Sequence, residues 1–73
     1  MLYNLYAPGA PDEALAQANL ANDFAAEQWA RQWVLTHQVG DEFTLRRADG
    51  GLDALVMRTR AGQCYVMTRS LAA

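Results

Sequence analysis

Between Phe43 and Arg69 the chain alternates large apolar residues with small or charged ones, and glycine cuts it at Gly50-Gly51 and Gly62. A period of two bounded by glycine turns is the pattern of short antiparallel strands with one buried face. The segments FTLRRADGG, LDALVMRTRAG and QCYVMTRS therefore predict a three-stranded antiparallel β-meander over 42–70. Ala48-Asp49-Gly50 and Arg60-Ala61-Gly62 each suit a three-residue loop with a left-handed glycine in its last position. With loops of that length, Phe43, Leu45, Leu55, Met57, Tyr65 and Met67 share one face. Thr44, Arg46, Ala54, Val56, Arg58, Cys64, Val66 and Thr68 share the other. The first set is bulkier and is expected to meet the rest of the domain. A two-residue Ala61-Gly62 turn would slip the parity and bring Cys64 and Val66 inward, but it needs Ala61 at positive φ, which is sterically costly.

The preceding residues supply the second layer. Met1 to Ala7 is short, aromatic and strand-like, and it ends at the breaker Pro8-Gly9-Ala10-Pro11. It is expected to add a strand or lie as an extended arm over residues 1–7. Pro11-Asp12-Glu13 has the character of a helix start, with proline in the first turn and carboxylates at the positive end of the dipole. Helical character runs over 11–39 and stops at Gly40. Asn19 and Asn22-Asp23 compete as caps, so a short helix over 12–18 followed by a longer one over 22–39 is the alternative. The fold class expected is α+β: one domain over 1–73, with an arm, a long or broken helix and a C-terminal meander beneath it.

Seventy-three residues bury about 60% of their unfolded surface, a thin margin that small domains often supplement with disulfides, metals or association. Cys64 and His37 are the sole cysteine and histidine, so an internal disulfide is impossible, and no metal site or cofactor is expected. Association remains. On a helix spanning 11–39, Leu15, Ala18, Ala26, Trp29 and Trp33 fall on one side, while Leu20, Phe24 and Leu35 fall nearly opposite, near Gln28 and Arg31. One sheet covers only one stripe, so the second is buried by the N-terminal segment, by a break in the helix that reorients one half, or by another chain, and another chain is expected. Leu20, Phe24 and Leu35 are the interface candidates, with Glu27 and Arg31 as rim charges. Trp29 and Trp33 are neighbours at i, i+4 that serve either the core or an anchor pair.

Charge divides the chain. Residues 1–42 carry six acidic side chains and one arginine, and residues 43–73 carry five arginines and two aspartates. The expected consequence is attraction between the two layers. Arg46 and Arg58, on the outer sheet face, are the candidates for polar or anion contact. Nucleic acid is disfavoured by the net charge of −2. Cys64 with His37 has no third group to make a nucleophile–base pair, and Asp49-Gly50-Gly51 is a hairpin turn without the surroundings of a phosphate loop. No run is long and apolar enough for a membrane span, the N-terminus lacks the form of a signal peptide, and the lone cysteine suits the cytoplasm. The function expected is a non-enzymatic protein–protein interaction module, such as a small inhibitor or adaptor. It would act as a homodimer or hetero-complex that buries the second helix stripe. The alternative is an anion or nucleic-acid binder using the arginine-bearing outer sheet face.

Overall fold

The computed structural model describes residues 1–10 and 12–68; the expectations placed on Pro11, Arg69 and Ser70 lie outside them. The class is α+β, but the sheet has five strands. They are β1 (Leu2–Tyr6), β2 (Ala14–Asn19), β3 (Glu42–Arg47), β4 (Asp53–Arg58) and β5 (Cys64–Thr68), with helix α1 (Asp23–His37) between β2 and β3. The strand order is β2-β1-β3-β4-β5, and every neighbouring pair is antiparallel. The N-terminal arm is thus an inner strand between β2 and β3.

The expectation of helix over 11–39 is corrected at its start. Ala14–Asn19 is a strand paired with β1, and α1 begins only at Asp23. Alanine is the best helix former, yet ALAQAN also alternates small with polar residues. Pairing to β1 decides between the two readings, placing Ala16 against Leu5 and Ala18 against Tyr3. Asn22 is the N-cap, its side-chain oxygen accepting a hydrogen bond from the Ala25 N–H at 2.8 Å. The helix ends at His37, two residues before the expected end, and closes on Gln38 in a left-handed conformation, φ 51°.

The helix buries Ala26, Ala30 and Val34, at i, i+4 and i+8. These small residues meet Tyr3 and Leu5 of β1, Phe43 and Leu45 of β3, and Ala54 and Val56 of β4 in a single core cluster. Trp29 and Trp33 are half-buried against its margin; Trp33 meets Phe43 edge-on at 5.9 Å between ring centres.

The sheet register differs from expectation at one turn. β4 and β5 are joined by the expected three-residue loop, with Gly62 at φ 83° and the Thr59 N–H bonded to the Gln63 carbonyl. β3 and β4 are joined by four residues, Ala48 to Gly51, because Arg46 stands opposite Asp53 and the Arg47 N–H bonds to the Leu52 carbonyl. One extra residue turns all of β4 and β5 over. Ala54, Val56, Arg58, Cys64 and Val66 therefore face the helix with Phe43 and Leu45, while Leu55, Met57, Tyr65 and Met67 face outward with Thr44 and Arg46.

Arg47 holds this turn. Its Nε donates to Asp49 at 2.6 Å and its Nη1 to Asp23 at 3.1 Å, and Asp49 also accepts from the Gly51 N–H at 2.8 Å. A Cβ at Gly51 would fall within the Arg47 guanidinium, so the second glycine is the floor under that side chain. Asp23 also accepts from the Tyr3 hydroxyl at 2.6 Å. The Arg47–Asp23 pair is one place where the basic sheet half meets the acidic helical half, and Arg58–Asp41 is another. The Arg47 guanidinium holds Asp49 below the usual carboxylate range, and burial raises the Tyr3 hydroxyl above its ordinary value.

Candidate interaction surface

Directly opposed residues of an antiparallel sheet share a face, so the pairings define rows across the outer side. A polar row runs Gln17, Asn4, Arg46, Asp53, with Gln17 bonded to Asn4 at 2.8 Å and Arg46 3.8 Å from Asp53. The next row is Tyr6, Thr44, Leu55, Met67, and beyond it come Glu42, Met57, Tyr65. No described element covers this side. Tyr65 and Met67 are 50% and 51% exposed, and Leu55, Met57 and Tyr6 are half-buried by their neighbours alone. The result is a contiguous apolar corner over β4 and β5, bordered on one side by the polar row.

The expected helix stripe is much reduced. Leu20 belongs to the segment after β2, packs against the core, and exchanges backbone bonds with Met1, all of which removes it from the helix. Phe24 is 71% exposed and Leu35 38%. They lie on one side of α1 but about 16 Å apart along its axis, with Gln28 and Arg31 between them. Two separated apolar side chains do not make a stripe.

The other candidates fall in separate places. Glu27 and Arg31 are half-buried on one flank of the helix, and Trp29 and Trp33 occupy the opposite flank. Trp33 stacks on His37 at 4.1 Å, and with Trp29, Gln32 and Thr36 they line a shallow open groove of about 210 Å³. Arg46 is on the outer face as expected, its guanidinium 5.5 Å from the Tyr6 ring centre. Arg58 is not: the register change places it opposite Cys64 on the helix side, where it donates to Asp41 at 3.0 Å.

The sequence reading missed Leu55, Met57, Tyr65 and Met67 as surface residues, because it assigned the bulkier face of the meander to the core. The signal available was the Gly50-Gly51 pair, whose second glycine lengthens the loop by one residue and turns the strands that follow it over.

No protein-family model matches the chain, and no curated protein or solved structure matches it. The functional reading therefore rests on this chain's own surface. Among the described residues no cluster of three or more His, Cys, Asp or Glu side chains could hold a metal, and no helix is long and apolar enough to cross a membrane.

Cys64 has the character of a packing thiol. Burial pushes its pKa up, against the pull of the Arg31 and Arg58 charges on either side. Iodoacetamide at neutral pH is expected to alkylate it more slowly in the folded protein than in urea. A faster reaction in the folded state would instead identify an activated thiolate.

Proposed function

We propose that this domain is a non-enzymatic protein–protein interaction module of the inhibitor or adaptor kind, and that its contact surface is the outer sheet face over β4 and β5. The observation that supports this reading is the contiguous cluster of Leu55, Met57, Tyr65 and Met67, with Tyr6 beyond Thr44 on the same row, on a face that nothing described covers. Contiguous exposed apolar surface of this kind marks interaction sites, whereas single exposed residues are ordinary. Tyrosine and methionine suit the task, since both are enriched where interfaces desolvate. Arg46 and Asp53 at the border provide polar register. A reducing compartment such as the cytoplasm fits the free thiol.

The test compares two exposed positions. Complexes captured from the native host on immobilised protein should be lost with Met67→Asp and kept with Phe24→Asp. Retention of every complex by Met67→Asp would remove the outer face from consideration, and loss with Phe24→Asp would return the interface to the helix.

The anion or nucleic-acid reading has one observation in its favour, the Arg46 guanidinium lying over the Tyr6 ring on an open sheet. The same face carries Asp53 opposite Arg46, and Glu42 beyond. Salt-sensitive binding to short single- or double-stranded oligonucleotides is therefore expected to be absent; a steep loss of affinity with salt would favour this second reading.

A further inference from the structure

The two edges of the sheet are not alike. At β2 the register shifts where Leu15 bulges opposite β1, and Asp12 and Glu13 precede the strand. The Met1 nitrogen bonds to Asn19 and to the Leu20 carbonyl at the strand's far end. Bulges and charges are the usual means of keeping an edge from pairing with another chain. β5 has no bulge: Cys64–Thr68 pairs regularly with β4 and contains no charge and no proline, its flanking charges in the sequence being Arg60 and Arg69, and among the described residues no strand lies beyond it.

Its open backbone groups follow from the turn. Thr59 donates to Gln63, so the bonded pairs of the β4–β5 ladder recur every second residue, at Met57–Tyr65 and Leu55–Met67. The N–H and C=O groups of Cys64, Val66 and Thr68 then point away from β4 to the free edge. Two such edges are self-complementary. When they run antiparallel about a two-fold axis through Val66, Val66 faces Val66 of the second copy, and Cys64 faces Thr68 in both directions. Every outward group then finds a partner.

We infer that β5 pairs in this way with a second copy of the chain, joining two five-stranded sheets into one. This rests on the reading of the domain as an interaction module and names the occupant of its open edge. The same register sets Tyr65 against Met67 of the second copy on the outer face. The row Tyr6, Thr44, Leu55, Met67 then continues into Tyr65 and Met57 across the axis, and the two apolar corners become one band. The edge residues carry no charge, so the copies meet without repulsion, as an isologous contact requires.

The experiment measures mass in solution and register. Light scattering over rising concentration should move from the 8.1 kDa of one chain to twice that value. Val66→Pro, which removes an outward N–H and leaves the β4 bonds intact, should stay monomeric; circular dichroism would check that it folds. Met67→Asp, at an exposed position, serves as the second variant and should also weaken the dimer. In a Cys64→Ser background, Val66→Cys should oxidise rapidly to a disulfide dimer, because paired Cα atoms about 5.5 Å apart suit that bond. Gln32→Cys, exposed on the helix, should not. A wild-type chain that is monomeric at all concentrations, or a Val66→Cys that cross-links no faster than Gln32→Cys, overturns the edge pairing. Those results leave the outer-face reading to its own test of captured complexes.

Discussion

Phe43→Ala is expected to remove a large part of the stability of this domain at 25 °C. Phe43 is 2% exposed, meets Trp33 edge-on, and is paired with Val56 in the middle of the sheet. Truncating a buried phenylalanine costs about 3–5 kcal/mol, through lost transfer energy and the cavity left behind. A domain of this length has a total stability of roughly 4–11 kcal/mol. The layer beside Phe43 cannot collapse into the space, because Ala26, Ala30 and Ala54 are too small to reach it and the two tryptophans are already seated at the margin. A strongly lowered urea midpoint would be the result, with the far-UV spectrum lost altogether if the wild-type stability lies at the low end of that range. A cooperative transition close to wild type would mean that Trp33 swings in to replace the ring.

Ala30→Leu is the second large effect and has the opposite origin. Ala30 is 0% exposed at the centre of the helix face that lies on the sheet. Leucine is almost as good a helix former as alanine, so any loss reflects packing. Three added carbons must either lift the helix or displace Val56 and Leu45, and overpacking of this kind typically costs about 1–3 kcal/mol. Gln28→Leu, on the exposed side of the same helix, is the control and should be near neutral. Equal urea midpoints for Ala30→Leu and wild type would show that the helix stands off the sheet with room to spare.

Much of the architecture was legible because its signals are local and mutually consistent. Two glycine turns, a helix ending shortly before Gly40 and an extended segment over 1–7 each follow from chemistry close by in the sequence. Ala14–Asn19 was not legible as a strand, since alanine favours helix and only the unpaired edge of β1 selects the extended form. The faces of β4 and β5 were misassigned through a single residue in one loop. The Gly50-Gly51 pair held the missing information: a second glycine is superfluous in a three-residue loop but needed where Arg47 lies across the backbone. Of the candidate site residues, Arg46 was placed correctly because its strand precedes that loop, and Arg58 was not because its strand follows it. Leu20 was lost from the interface with the helical reading of β2.

The position of β1 has a consequence for how the protein comes into being. β1 is synthesised before the other strands of the sheet, yet it must lie between β2 and β3, and β3 ends only at Arg47. A growing chain that has reached Asp41 holds a hairpin and a helix with no sheet interior to rest on. Isolated hairpins and short helices are marginal in water, so Tyr3 and Leu5 stay uncovered on the ribosome until the second half emerges. The sheet interior is complete only when β3 joins β1, so the order in which the strands are made is not the order in which they lie side by side.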